Sequence, residues 1–537
     1  MHESAWCSVV FLTFLVRVIA QQHSRSDCAR HRQQLQTKPG RRCFVALLLF
    51  IAYGVMSVPG RFLVLREALG QGEDESTVAQ NCPAGVFIEA LTKMKEPEML
   101  RRIAILPIFF VLLLSTALAQ KTQEPAAPEK TIAIHAARLI DGTSPHPRHD
   151  VLIVVKGNKI ASVSEGGKPP AEAEVINLPS NVTVLPGLID AHTHIFLQGE
   201  DPAEGGYDIQ LLQYPASFRA ARATVSARRC LEQGFTTIRD VETEGAGYGD
   251  LGIKMAINKG YIPGPRIFAS TRAISVTGGY PLEGYNPDIV VPKGAQLADG
   301  SVELRKAARE QLENGADWIK VYMTHRSWVD KQGHLVSQPT LTVEELKAVT
   351  DEAHGQQHKV ACHAYGGIGL HRALDGGCDS IEHGLDLDDD AIAQMLRQGT
   401  WLVPTLAVYY YDWSPENTPE GQRDRARASV HEVSFKKAFK AGVKIAFGTD
   451  MGGIPWTDPI AQEFGYMVRF GMSPIDAIKA ATAKAAELLD VKGELGVIAP
   501  GAYADIVAVS GDPLTNMDAL KEVNFVMKDG AVFKQAK

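Results

Sequence analysis

Between Gly187 and about Val491, short apolar runs alternate along the chain with longer stretches of helical character. Eight of the runs read as strands: VLPGLIDAHTHI, FTTIRD, RIFAS, DWIKVYM, KVACHA, DSIEHG, WLVPTL and KIAFGTD. Helix starts are legible between them. Thr342-Val343-Glu344-Glu345 has the spacing of a capping box, and Ser473-Pro474 sets an N-cap ahead of a proline in the first helical position. Strands alternating with helices over roughly 300 residues predict an α/β fold, a (β/α)8 TIM-like barrel spanning 187–491.

The flanks follow a different period. From Thr131 to about Pro186 apolar and polar residues alternate, and Gly157-Asn158 marks a tight turn. The end of the chain repeats this style in ADIVAVSGDP and NFVMKDGAVF, with Asp529-Gly530 as another hairpin turn. Neither piece is large enough to bury its apolar face alone. Residues 120–186 and 492–537 are therefore expected to combine into one small β-sandwich built from both ends of the mature chain.

The front of the chain has neither period. Residues 99–119, MLRRIAILPIFFVLLLSTALA, place two arginines before an apolar run and small residues at Ala117 and Ala119, the layout of a cleaved signal peptide. Residues 1–98 then stand ahead of a segment that belongs at an N-terminus. We expect the natural start at Met99 or Met94, with 1–98 non-native or a disordered extension; a retained anchor at 103–119 is the other reading. The mature protein would be exported, periplasmic or secreted, and not stably held at the membrane. Beyond Gln120 three cysteines remain, Cys230, Cys362 and Cys378, too few for a disulfide framework and not pairable from sequence. The net charge is −7 and no basic block appears, which argues against nucleic acid as a partner.

Chemistry gathers where the apolar runs end. The first closes on Asp190-Ala191-His192-Thr193-His194, and later ones carry Lys320, His363, His383 and Asp450. His192 and His194 are two apart on a strand, so both imidazoles project from one face, which Asp190 shares. In a parallel barrel, strand ends remote in sequence meet on one rim, where nitrogen and oxygen ligands of this kind would hold a dinuclear metal centre. Glu382 faces away from His383 and reads as a packing contact, and Arg239-Asp240 reads as either a buried structural ion pair or a substrate contact.

LPGLIDAHTH, followed in order by IKVY, HAYG, IEHG and FGTD and closed by LGVIAPGAYADIVAV, resembles the amidohydrolase superfamily over about residues 131–537. The order is similar to the metal-dependent branch that contains Xaa-Pro and Xaa-Arg dipeptidases, imidazolonepropionase-related enzymes and ochratoxin-hydrolysing amidases. The resemblance implies two divalent ions, zinc by default, with His192 and His194 on the more buried one and His363 and His383 on the more exposed one. It further implies that Lys320 bridges them as a carbamate formed with carbon dioxide. Asp450 would be both ligand and general base, taking a proton as metal-activated hydroxide attacks a carbonyl. His325 or Tyr322 would help to polarise that carbonyl.

The substrate implied is a small molecule, a dipeptide or an N-acyl amino acid cut at its amide bond. Relatives place a Tyr after the bridging lysine against the substrate carboxylate, and Tyr322 stands there, but Thr324-His325-Arg326 departs from their common Thr-Gly-Gly. VYYYDWSPENTPEG and GYPLEGYNPD are candidate walls of the site. A cyclic amide, ester, lactone or phosphotriester substrate is the second reading, and a non-catalytic binding relative the third. A deaminase would carry glutamate where Gly366 stands. Assembly into a homo-oligomer is compatible with the resemblance.

Overall fold

The computed structural model describes residues 130–199, 206–282, 284–411 and 414–535. The expectations for 1–98 and for a signal peptide at 99–119 lie outside the described residues.

Mixed α/β structure follows the predicted alternation. Leu188–Thr193, Phe235–Asp240 and Arg266–Ala269 pair in parallel. Trp318–Tyr322, Lys359–Gly366, Ser380–Asp386 and Trp401–Val403 form a second parallel series. The two series are tied together at both edges. Asp317 N donates to Ala269 O at 2.8 Å on one side. On the other, Leu402 N donates to Lys444 O at 2.8 Å, Ala446 N to Leu402 O at 3.0 Å, and Ala191 N to Phe447 O at 2.9 Å.

The last of these segments, KIAFGTD, forms those bonds without being a regular strand. Gly448 shows why its path is so close: a Cβ there would lie 2.3 Å from Val403 Cγ1 and 2.9 Å from His192 Cβ. The helices between strands begin as their sequences dictate. Thr342 and Glu345 exchange both capping-box bonds, and the Ser473 side chain accepts from Asp476 N ahead of Pro474.

Strand periodicity separates packing from chemistry. Ile189, Ala191, Trp318, Ala361, Trp401 and Val403 belong to one buried apolar cluster. Two residues further along the same strands come Lys320 and His363. Apolar packing thus supports the polar residues one pleat above it.

The chain ends meet by hydrogen bonding as well as by packing. Val182–Pro186 pairs antiparallel with Ile506–Ser510 inside one eight-stranded sheet. Lys156 opposes Lys159 across the Gly157-Asn158 turn, and Lys528 opposes Ala531 across Asp529-Gly530. The sheet also returns towards its own middle, with Ile160 N donating to Ala502 O at 2.9 Å and Ala504 N to Asn158 O at 2.9 Å. Ile132, Ile134, Ile153, Val184, Ile506 and Phe525 share the apolar cluster that holds the two ends together.

One pairing that the sequence left open is resolved. Cys362 and Cys378 form a disulfide with Cα atoms 6.0 Å apart, while Cys230 is free and buried. This bridge ties the strand carrying His363 to the turn before the strand carrying His383. Closing so short a loop stabilises by about 3 kcal/mol, mainly by restricting the unfolded chain. Cys378→Ala should therefore unfold at a clearly lower urea concentration than the oxidised parent, and equal midpoints would show that the bridge contributes nothing.

Candidate metal centre

His192, His194, His363 and His383 form a contiguous cluster of rings. Centroid separations are 5.3 Å for His192–His194, 4.8 Å for His192–His383 and 4.4 Å for His363–His383. Asp450 reaches into this cluster: its Oδ1 is 3.1 Å from His194 Nε2 and 3.6 Å from His192 Nε2, and its Oδ2 is 3.9 Å from His383 Nδ1. Lys320, 1% exposed, lies close enough for its charge to act on all four histidines and on Asp450. The structure therefore brings together the six residues singled out from sequence.

Two of the six sit in unusual backbone conformations. His383 has φ 73° and Asp450 has φ 63°, the left-handed region that residues other than glycine seldom adopt. Asp450 N donates to His192 O at 2.9 Å, which fixes the second of these turns to the first strand. Asp190, expected on the ligand face, instead binds this loop. It accepts from Thr449 Oγ1 at 2.5 Å and from Thr449 N at 3.2 Å, and burial raises its pKa to about 7.

The electrostatics suit a cation. Burial holds His192, His363 and His383 well below the ordinary histidine range, and the Lys320 charge acts in the same direction on each. These imidazoles are neutral, with lone pairs free to bind. His192 Nε2 and His363 Nε2 are buried and lack a hydrogen-bond partner. Burial opposes charge on His194 and Asp450 too, but their mutual hydrogen bond and attraction prevail, placing His194 at about 10 and Asp450 at about 2. A proton held between an imidazole and a carboxylate, beside two unpartnered ring nitrogens, occupies a place where a divalent ion would find its ligands. Burial is also the largest influence on Lys320 and lowers its pKa.

Behind the cluster stands a buried relay. Glu382 Oε2 lies 2.7 Å from His192 Nδ1, and Glu382 Oε1 accepts from Arg239 Nη2 at 2.8 Å and Ser380 Oγ at 2.5 Å. Arg239 also donates through Nε to Ala191 O at 2.6 Å and lies 4.4 Å above the Trp318 ring. Arg239 thus pairs with Glu382 and not with Asp240, and Glu382, read from its strand position as a packing contact, also orients His192.

The remaining predicted residues stand on the rim. Tyr322 donates its hydroxyl to Glu242 Oε2 at 2.5 Å, so that group is already engaged. His325 lies 4.5 Å from Tyr280 with the rings tilted, and burial, with Arg326 and Arg427, lowers its pKa to about 4. The aromatic stretch after the seventh strand divides. Tyr409 packs beside His383 at 5.8 Å, whereas Tyr410 stacks on Tyr466 at 4.8 Å away from the centre.

Comparison with known proteins places this geometry. The amidohydrolase family profile matches residues 183–533. The chain belongs to the amidohydrolase family. Ochratoxinase of Aspergillus niger is 32% identical over 435 residues, covering 75% of this chain and 87% of the relative. Imidazolonepropionase of Nocardia farcinica is 26% identical over 371 residues, covering 67% and 86%. Among solved structures, a Xaa-Pro dipeptidase with bound methionine in its active site is 34% identical with a TM-score of 0.67, covering 75% of this chain and 100% of the other. This amidohydrolase is a hydrolase acting on carbon–nitrogen bonds.

Sequence reasoning missed Glu242 and Glu244. Glu244 Oε1 lies 3.5 Å from His194 Nδ1, and the Glu242 carbonyl oxygen lies 3.3 Å from the same nitrogen. Their signal was available: two acids, two residues apart, just past a strand end, the arrangement that drew attention to His192 and His194. His431 was also missed; it is buried with both ring nitrogens unpartnered, 5.2 Å from the Tyr409 ring.

Proposed function

We propose that this amidohydrolase holds two divalent metal ions and cleaves an amide bond, in a dipeptide or an N-acyl amino acid. In this reading the ring of parallel segments is a (β/α)8 barrel, and the sheet shared by both ends is the flanking β-sandwich. The observation that carries the proposal is the convergence of His192, His194, Lys320, His363, His383 and Asp450, with His192 Nε2 and His363 Nε2 buried and unpartnered. The donor set fits. His192, His383 and Asp450 also present ligand atoms within 4.8 Å of one another.

When bound, the ions, zinc by default, would supply Lewis acidity towards a carbonyl and a water. Lys320 would help to hold them as a carbamate, because burial weakens its hold on the proton and leaves an amine able to take up carbon dioxide. Asp450, aimed between His192 and His194, would accept the proton of the attacking water and return it to the leaving nitrogen. Glu382 would hold the His192 ring in the tautomer that leaves Nε2 free. His325 and Tyr280 would contact the substrate from the rim. An exported location belongs to the same proposal, since a buried disulfide suits an oxidising compartment.

Ochratoxinase and the Xaa-Pro dipeptidase, by their names, support the amide reading. The likeness to imidazolonepropionase favours a second one, in which a cyclic amide is opened on the same residues. Metal content per chain, measured together with hydrolysis of dipeptides, N-acyl amino acids, cyclic amides and esters, separates them. About two metals with release of a C-terminal residue is expected. Two metals with turnover confined to cyclic amides or esters would favour the second reading, and metal-replete protein that binds no metal would remove both.

A further inference from the structure

Glu242 and Glu244 lie beside His194 and could with it hold a metal ion, but the six-residue ligand set proposed above makes no use of their carboxylates. Both residues are buried. Glu244 is well provided for: its Oε2 accepts from Tyr207 at 2.6 Å and from Tyr280 at 2.8 Å. Glu242 differs. Its Oε2 accepts from Tyr322, yet its Oε1 has no hydrogen-bond partner although the residue is 0% exposed. A buried carboxylate oxygen left bare costs free energy unless something binds it.

The surroundings say what kind of partner is missing. Arg219 is near enough to feel both charges, but its guanidinium donates to the backbone oxygens of Phe196, Thr243 and Glu244. The ring of Tyr280 lies 4.5 Å from that of Tyr322 and 6.0 Å from that of Tyr207, and all three tyrosines turn their hydroxyls to the two acids. An acidic oxygen that lacks a donor, set among aromatic rings, suits an organic cation. A metal ion fits less well. His194 would have to offer Nδ1, which already lies 3.3 Å from the Glu242 carbonyl oxygen. Tyr207, Tyr280 and His325, unlike the two acids, are only half-buried.

We propose that Glu242 and Glu244, walled by Tyr280 and Tyr322, form a subsite for a protonated amine of the substrate. The preferred substrates are then dipeptides or amino-acid amides with a free ammonium, not N-acyl amino acids. The identity of that ligand rests on the amide-hydrolase reading, whereas the preference for a cation does not.

Benzylammonium and benzyl alcohol have nearly the same shape and differ in charge, so their binding to the metal-loaded full chain at neutral pH, followed by calorimetry, isolates the cation preference. The wild-type protein should bind the ammonium about tenfold more tightly, the size of one charge-assisted hydrogen bond. In Glu242→Gln the two affinities should come within about threefold. Equal wild-type affinities would overturn the proposal, whether or not the variant folds. So would a preference that survives in Glu242→Gln, because the amine would then be binding elsewhere, such as on a metal. A dipeptide and its N-acetyl form supply the second arm. Faster turnover of the free form supports the subsite, and faster turnover of the acetylated form overturns it. Hydrolysis of neither, with the amine preference intact, would count against the amide reading and leave the subsite standing.

Discussion

Replacing Asp450 by asparagine should lower kcat/KM about a thousandfold on whichever amide the wild-type protein cleaves, while the chain stays folded. The change keeps the size and shape of the side chain and removes its ability to accept a proton and carry charge. Its Oδ1 is placed for that task, 3.1 Å from His194 Nε2 and 3.6 Å from His192 Nε2. Burial works against a carboxylate here, and the histidines and Lys320 more than offset it. A neutral amide at 450 therefore forfeits those attractions but is spared the desolvation, and the thermal midpoint should move little. The left-handed backbone at 450 tolerates this substitution, since asparagine is among the residues that adopt it most readily. Steady-state kinetics beside thermal unfolding check the expectation. A variant with near wild-type kcat/KM would show that Asp450 is not the proton acceptor, and one that fails to fold would show that its main role is structural.

Where the sequence was most legible, a local rule coincided with the global fold. The two-residue turns at Gly157-Asn158 and Asp529-Gly530, the capping box at Thr342 and the proline start at Ser473 each need no knowledge of the rest of the chain. The six candidate ligands were legible for another reason. They stand within or at the ends of apolar runs, and in a parallel arrangement strand ends meet on one side. Less was visible where a side chain acts across the structure. Glu382 lies on the opposite side of its strand from His383, and the alternation rule accordingly assigns it to packing. That assignment does not reveal that the same side reaches His192 on a strand 190 positions earlier. Asp190 shares the face of His192 and His194 by the same alternation, yet the strand register shifts between Asp190 and Thr193, and its carboxylate binds Thr449. The eighth segment reads as a strand because it is apolar. Its close approach at Gly448 and the left-handed turn at Asp450 take it out of regular strand geometry.

Glu382→Ala should both destabilise the fold and weaken metal retention, and a compensating variant should separate the two effects. Truncation at 382 leaves the Arg239 guanidinium, 0% exposed, without its carboxylate, and breaking a buried pair in this way costs about 3–5 kcal/mol. It also removes the acceptor 2.7 Å from His192 Nδ1, and loss of such an orienting partner lowers metal affinity about 10–100-fold. In Arg239→Met/Glu382→Leu no buried charge is left alone, and apolar side chains of similar volume fill the space beside Trp318. Much of the stability lost in Glu382→Ala should return, because replacing both partners of a buried pair is often close to neutral. Metal retention should not return, since His192 still lacks its acceptor and its ring is free to turn or change tautomer. Unfolding midpoints and metal content after dialysis against a weak chelator, measured on all three proteins, decide the matter. If the double variant recovers metal along with stability, Glu382 acts through the fold alone, and the path from Arg239 through Glu382 to His192 is packing without a part in holding the site.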